Sequence, residues 1–186
     1  RRALEHIGRG RFFSKSKRLN EEEMTQLFRD LAKTAVTLSK TKTGALIVLE
    51  RETGLNDYAE SGIRIDGIVS SELLLNCFVP NTPLHDGALI IRGNRVLAAG
   101  CLLPLTERSG LDKELGTRHR AAIGLSEQAD AIVIVVSEET GLISIALGGR
   151  LERRLEYSTL QSRLEELFAP RAQGLSDYIN RRNGRQ

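Results

Sequence analysis

A short polar segment, His85-Asp86-Gly87-Ala88, lies directly before the apolar run that begins at Leu89. The Asp86 carboxylate could take a proton from a hydroxyl group or bind a divalent cation, and the small Gly87 and Ala88 would let a ligand approach the backbone. His85 could add a metal ligand or contact a phosphate. Asp-Gly is also a common turn dipeptide, so the segment taken alone also fits an ordinary turn.

A second segment, Gly116-Thr117-Arg118-His119-Arg120, is predicted to open a helix with Thr117 as its N-cap. Two arginines in a first turn face the positive end of the helix dipole, which is unfavourable unless an anion compensates. Free N–H groups and guanidinium groups at this position are typical of phosphate binding. The alternative is that the arginines pair with Asp112 and Glu114 in the preceding loop.

A third segment, Ser137-Glu138-Glu139-Thr140-Gly141, follows the most apolar strand. Ligands in α/β proteins gather beyond the ends of strands, so the hydroxyl and the two carboxylates could hold phosphate and metal. The alternative is a charged hairpin turn. The sequence contains neither a G-x-x-x-x-G-K-[ST] nor a G-x-G-x-x-G motif. The three segments together indicate metal-assisted phosphoryl or nucleotidyl transfer.

The elements that must position these residues follow from hydrophobic periodicity and turn residues. Four helices are predicted: 21–40, from Ser70 to near Pro80, from near Thr117, and 158–168. The predicted strands are 45–49, 88–91, 96–99, 131–136 and 142–147. Some strand pairs have connections too short for parallel crossovers, so the prediction is an α/β single domain with a mixed β-sheet flanked by helices.

Charge is distributed unevenly along the 186 residues, although the formal net charge is only +3. Seven basic residues lie in 1–18 and four in 171–186, which leaves a net charge of −6 for 19–170. The first tail mixes arginine with apolar residues, which fits either a segment beside an anionic membrane or a solvated leader. Because the chain opens on Arg1, we expect it to be a fragment of a longer protein. The two cysteines cannot form a disulfide framework, which favours a reducing compartment.

Two of the polar segments match motifs of a known family. Asp86-Gly87-Ala88 and Arg118-His119-Arg120 resemble the DGA and RHR motifs of diadenylate cyclase (DAC) domains. The surrounding NTPLHDGA, KELGTRHRAA and VSEETG resemble the membrane-anchored CdaA class of that family. This resemblance divides the chain into a basic membrane-proximal leader (1–19), a DAC domain (20–168) and a flexible basic tail (169–186).

The resemblance implies the DAC domain fold and a nucleotidyltransferase reaction. Two ATP molecules would condense into the second messenger cyclic di-AMP with release of two pyrophosphates, at the interface of two facing domains, so that catalysis needs a homodimer. Asp86 would position or deprotonate the 3′-hydroxyl, and Leu103 would meet the adenine through its backbone. The residues implied in catalysis are Asp86, Arg118 and Arg120, and those implied in ATP binding are Gly87, Ala88, Leu103, Thr117, Arg118, His119, Arg120, Ser137 and Glu138.

The resemblance also implies a cofactor, partners and a location. The cofactor would be a divalent cation, Mg²⁺ or Mn²⁺, with His85, Asp86 and Glu139 as the expected ligands. A YbbR-domain regulator and phosphoglucosamine mutase are the implied partners, and no nucleic acid is expected. The chain would be the cytosolic catalytic fragment of a protein anchored in the bacterial cell membrane by N-terminal helices. Two other hypotheses are a nucleotide sensor without turnover and DNA binding by the basic tails.

Overall fold

The computed structural model describes residues 19–112 and 114–169. Within them a single seven-stranded sheet has the order β2-β4-β3-β1-β5-β6-β7. Only β1 and β3 pair in parallel, and the other neighbouring pairs are antiparallel, so the predicted mixed sheet is confirmed. In chain order the elements are α1 (Glu21–Lys40), β1 (Ala45–Glu50), α2 (Asn56–Ala59), β2 (Ile63–Ile68), α3 (Ser71–Cys77), β3 (Ala88–Arg92), β4 (Arg95–Cys101), α4 (Thr117–Gln128), β5 (Ala131–Val136), β6 (Ile143–Leu147), β7 (Arg150–Arg153) and α5 (Tyr157–Phe168).

Helix α1 begins as the sequence predicts, at a capping box. The Asn20 side chain accepts a hydrogen bond from the Glu23 N–H, and the Glu23 side chain accepts one from the Asn20 N–H. Two donors that the helix leaves free are thereby satisfied. The apolar face of the helix, which includes Leu27, Leu31 and Leu38, is buried against the sheet.

The strand residues alternate between two hydrophobic clusters, one on each face of the sheet. In β1, Ile47 and Leu49 belong to the cluster beneath α1, α3 and α5, while Leu46 and Val48 belong to the cluster beneath α4. This period of two is the ordinary geometry of a strand buried on both faces. The domain is therefore a sheet with helices on both sides, as predicted.

Three elements were not predicted: α2, β2 and β7. Helix α2 has four residues and no side-chain cap. Strands β2 and β7 lie at the two edges of the sheet, and none of their residues is fully buried. In β2 the alternation of isoleucine with polar residues lasts only over 63–66 before Gly67 interrupts it, and β7 has a single apolar residue, so neither segment offers a sustained strand pattern.

The segments that carry the predicted site residues meet at one end of the sheet. Pairing of Ile47 with Leu89 and of Ala45 with Val136 brings the starts of β1 and β3 to the same end as the last residue of β5. Strand β4 ends there as well, because Cys101 pairs with Ala88. We refer to this end, formed by the starts of β1 and β3 and the ends of β4 and β5, as the site end.

The predicted leader and tail lie outside the described residues apart from 19 and 169. No helix within 19–112 and 114–169 is long and apolar enough to cross a membrane.

Candidate active site

Helix α4 presents an uncapped N-terminus at the site end. Its N-cap is Gly116, with extended backbone (φ −70°, ψ −177°) and no side-chain capping bond. The prediction of Thr117 as the N-cap is wrong, since Thr117 is already the first helical residue. The N–H groups of the first turn are thus available to an anion, with the helix dipole in its favour.

A cleft lies between this helix start and the turn after β5. It is lined by Gly116, Thr117, Arg118, His119, Val136, Ser137, Glu138 and Glu139. The structure therefore brings together the second and third polar segments, which are separated in the sequence by the 16 residues 121–136. A helix N-terminus beside a serine and an arginine has the groups that bind phosphate.

The turn at residues 137–141 is rigidly held. The buried Ser137 hydroxyl accepts hydrogen bonds from the N–H groups of Glu139 and Thr140, at 3.3 and 3.2 Å. From α1, the Ser39 hydroxyl donates to the Gly141 carbonyl at 2.5 Å. The alternative of a hairpin turn is correct as local structure, since β5 and β6 pair antiparallel around it. The same turn also lines the cleft, so the two interpretations of this segment are compatible.

Arg118 forms an ion pair across the cleft, with its Nη1 2.7 Å from Glu138 Oε2. Gly44, directly before β1, lies beneath this pair. A Cβ atom at Gly44 would be 2.7 Å from Arg118 Nη1 and 3.0 Å from Glu138 Oε2. Gly44 is a site residue that the sequence prediction missed, because only the folded chain shows what lies against it.

The acids of the preceding loop do not pair with the arginines of α4. Asp112 and Glu114 instead bind Arg153 of β7, at 2.9 and 3.1 Å. This alternative is therefore wrong. Arg153 ties down the loop that leads into the helix start, and no motif in the sequence indicated it.

His119 is the third residue of α4 and is only 4% exposed. Its Nδ1 atom is buried without a hydrogen-bond partner among the described residues. Burial lowers the pKa of His119, the positive charge of Arg153 lowers it further, and Glu139 opposes both. The side chain is thus held neutral at physiological pH, with a polar atom left for a ligand or a water molecule.

Asp86 lies at the same end of the sheet, in the turn before β3. Its side chain is exposed and has no hydrogen bond or ion pair within the described residues. Gly87 next to it has φ +118°, and a Cβ there would lie 2.7 Å from the Cys101 carbonyl oxygen. Any larger residue would clash with the end of β4, so glycine fixes the position of Asp86.

Asp86 and Ser137 flank the site end from two strands, β3 and β5, with β1 between them. Neighbouring strands are about 4.8 Å apart, so these two positions are separated by roughly 10 Å. One extended ligand can therefore contact both. The structure brings the first segment to the same end of the sheet as the cleft, although not into its lining.

Neither Arg120 nor Leu103 lines the cleft. Arg120 Nη2 donates to the Thr106 carbonyl at 3.2 Å, and the Thr106 N–H donates to the Arg120 carbonyl at 3.0 Å. A Cβ at Gly124 would lie 2.3 Å from the Pro104 carbonyl, so α4 and this segment are in backbone contact. Arg120 thereby holds the segment that carries half-buried Leu103.

A metal ion would find one prepared nitrogen ligand. The His85 Nδ1 atom is 2.5 Å from the Thr82 carbonyl and must donate to it, which leaves Nε2 as an acceptor. Among residues 19–112 and 114–169, however, no three His, Cys, Asp or Glu side chains are close enough together to hold a metal ion. A divalent cation would therefore need further oxygen atoms, such as those of a phosphate chain.

A second cleft of about 400 Å³ lies beside α2, β2, β3 and β4. Asn56, Gly62, Arg64, Arg92 and Leu97 are among its lining residues. None of the predicted site residues lines it.

Comparison with known proteins identifies the family. The DAC family, described as the DisA bacterial checkpoint controller nucleotide-binding domain, matches residues 32–151, which is more than half of the chain. The chain belongs to the DAC family. The family predicted from the DGA and RHR motifs is thus confirmed.

Two curated relatives illustrate the match. Cyclic di-AMP synthase CdaA of Bacillus subtilis (strain 168) is 51% identical over 168 residues, covering 90% of this chain and 62% of the relative. A diadenylate cyclase of Listeria monocytogenes serotype 1/2a is 46% identical over 186 residues, covering 100% of this chain and 68% of the relative. The chain thus spans about two thirds of the length of these relatives.

The fold agrees with solved structures. A crystal structure of DacA from Staphylococcus aureus, a double cysteine mutant, matches 80% of this DAC chain and 99% of its own chain, with a TM-score of 0.77 and 45% identity. A hypothetical membrane spanning protein from Bacillus cereus matches 67% of this chain and 61% of its own, with a TM-score of 0.65 and 46% identity.

Proposed function

We propose that this DAC domain is a nucleotidyltransferase that condenses two ATP molecules into cyclic di-AMP and two pyrophosphates. The observation that carries the proposal is the cleft between the uncapped α4 N-terminus and the 137–141 turn, at the same end of the sheet as Asp86. The curated relatives named as diadenylate cyclase and cyclic di-AMP synthase support the same assignment.

The cleft would bind the phosphates. First-turn N–H groups of α4, together with Thr117 and Ser137, offer donors to phosphate oxygens, and Arg118 adds a charged donor. In this proposal the same groups would also face the negative charge that grows on the departing pyrophosphate, so they would lower the barrier as well as bind substrate. His119 would contribute through its buried, unpartnered Nδ1.

Asp86 would act on the 3′-hydroxyl of the ribose. In each condensation the 3′-oxygen forms a bond to the α-phosphorus of the other ATP, the bond from that phosphorus to pyrophosphate breaks, and the hydroxyl proton passes to the carboxylate. The exposed Asp86 has no internal partner within the described residues, so it is available for this contact. Gly87 and Ala88 would line the ribose side, and the backbone at Leu103 would meet the adenine.

A divalent cation, Mg²⁺ or Mn²⁺, would offset the charge of the triphosphate when bound. His85, Asp86 and Glu139, the ligands expected from the sequence, do not form one three-residue ligand set within the chain, so any of them that binds the ion, such as His85 through Nε2, would share it with phosphate oxygens.

A single domain holds one ATP in this scheme, so two domains must face each other and the active species is a homodimer. A partner that covers the site end would then inhibit without binding ATP. We include the YbbR-domain regulator and phosphoglucosamine mutase as candidate partners of the longer, membrane-anchored protein, and we expect no nucleic acid to bind the DAC domain, whose segment 19–170 is acidic overall.

The test is product formation from ATP with Mg²⁺ or Mn²⁺, separated by chromatography. We expect cyclic di-AMP from the wild-type chain and a loss of at least about 100-fold in Asp86→Asn, a nearly isosteric change that removes the general base. The proposal fails if no cyclic di-AMP forms with either metal, or if Asp86→Asn is as active as wild type.

Mixing two inactive variants tests the two-domain arrangement. Consider a dimer of one Asp86→Asn chain and one Arg118→Ala chain. In one condensation, the Arg118→Ala chain supplies an intact Asp86 and the Asp86→Asn chain supplies an intact Arg118. The other condensation lacks both residues. We expect the mixture to accumulate the linear product with one new bond, which neither variant makes alone. Absence of that product, with mixed dimers shown to form, would contradict attack across two domains.

A further inference from the structure

Arg118 already has an anionic partner in the ligand-free chain. Its Nη1 donates to Glu138 Oε2 at 2.7 Å, within the cleft that the proposed function assigns to phosphate. The arginine side chain is 24% exposed and the carboxylate 61% exposed. The Glu138 carboxylate is therefore bound to the guanidinium group that an incoming phosphate would use.

The surroundings leave Glu138 one way to give up this contact. A Cβ at Gly44 would be 2.7 Å from Arg118 Nη1, so backbone lies directly beneath the ion pair. The backbone of Glu138 belongs to the turn that the Ser137 hydroxyl holds through the N–H groups of Glu139 and Thr140. With its backbone held in this turn, Glu138 gives up the contact by rotation of its exposed side chain towards solvent.

We propose that Glu138 is a built-in competitor of the nucleotide phosphate for Arg118. Carboxylate and phosphate oxygens both accept from a guanidinium group in the same way, so only one of them can fill the Nη1 position at a time. This inference rests on the proposed function and adds to it a residue that weakens the binding of triphosphate in the absence of metal. After displacement, the free carboxylate remains beside the phosphates, where its negative charge opposes them.

The sign of the effect separates competition from a structural role. If Glu138 merely held Arg118 in place, removing it would weaken nucleotide binding. If Glu138 competes, removing its charge strengthens binding. Exposed ion pairs are weak, and the released repulsion adds to the gain, so we expect metal-free ATP to bind about three- to tenfold more tightly.

The experiment is calorimetric titration of the complete chain with ATP in excess EDTA. Glu138→Gln removes the charge and keeps the shape, and Glu138→Ala removes every oxygen that Arg118 could bind. Glu139→Gln is the matched control, because it removes the same charge from the next residue of the turn, which has no ion pair to Arg118. Both Glu138 variants should bind ATP more tightly than wild type, and more tightly than the Glu139 variant.

Two results would overturn the inference: Glu138 variants that bind metal-free ATP no more tightly than wild type, or a Glu139→Gln gain equal to theirs. Circular dichroism and thermal unfolding of each variant establish that the fold is intact, and Glu138→Ala decides the outcome if Glu138→Gln alone misfolds. The proposed function is separable from this result. A wild-type chain that makes cyclic di-AMP while its Glu138 variants show no gain contradicts only the competitor, whereas a chain that neither binds ATP nor makes product contradicts both.

Discussion

Replacing Gly44 by alanine tests whether the position of Arg118 matters to the reaction. The added methyl group would lie 2.7 Å from Nη1 and 2.8 Å from Cζ of Arg118, and 3.0 Å from Glu138 Oε2. Ordinary contacts of this kind are near 3.5 Å, so the guanidinium must move by roughly 0.7 Å or more. The clashing atoms are ends of flexible side chains, and the clash therefore shifts them without disturbing the backbone.

The two consequences differ in size. Because the side chains can yield, the free energy of unfolding should change by no more than about 1 kcal/mol. Catalysis is more sensitive to position, since a displacement of about 1 Å can cost on the order of 100-fold in rate. We expect Gly44→Ala to lower kcat/KM for cyclic di-AMP synthesis by about 10- to 100-fold while the protein stays folded.

The assay is the initial rate of cyclic di-AMP formation at several ATP concentrations, alongside urea unfolding. Gly54→Ala is the matched control, because a Cβ at that exposed glycine would meet nothing within 4 Å. It should keep the wild-type rate. Wild-type activity in Gly44→Ala, or an equal loss in Gly54→Ala, would refute the argument that Gly44 sets the position of Arg118.

Three further predictions concern pH, the loop before α4 and the dimer. Because the pKa of His119 is lowered in the folded protein, the unfolded chain binds a proton below about pH 6.5 that the folded chain does not bind. The free energy of unfolding should therefore fall as the pH drops below about 6.5, by up to about 1.4 kcal/mol per pH unit. Urea unfolding at pH 7.5 and 5.5 should show this decrease in the wild type and a smaller decrease in His119→Gln. An unchanged pH slope in His119→Gln would contradict this. Arg153→Ala frees Asp112 and Glu114 and should raise the KM for ATP about two- to fivefold, whereas Arg150→Ala on the same strand should not; equal effects would contradict the role of Arg153. Dilution should lower the specific activity, and a constant value down to low nanomolar protein would contradict a dissociating catalytic dimer.

Much of the fold could be predicted because the apolar runs are unambiguous. The run 131–136 is a fully buried interior strand of the sheet, and the Asn20 capping box marks the start of α1. The edge strands β2 and β7 were missed, because neither has a fully buried residue and the apolar alternation of β2 is interrupted after four residues by Gly67. Thr117 shows a different limit. Threonine is a preferred N-cap residue, but here the preceding Gly116 has the extended backbone of the N-cap, so the helix begins one residue earlier than predicted.

The site was predictable in its residue types and less so in its contacts. Arg118 and Ser137 do share a cleft, as their chemistry suggested. The partners of the charged groups were not predictable, because the loop acids pair with Arg153, which is distant in sequence, and Arg118 with Glu138. Gly44 shows the same limit, since the sequence does not indicate that the Arg118 side chain lies against this glycine in the folded protein.

The most direct test of the account counts products per protein molecule. The wild-type chain is incubated with excess ATP and Mn²⁺ or Mg²⁺, and cyclic di-AMP and pyrophosphate are measured in the same samples over time. We predict many turnovers per chain and two pyrophosphates for every cyclic di-AMP. If the protein binds ATP but converts no more than one ATP molecule per chain, the result would contradict an enzyme and indicate a nucleotide sensor.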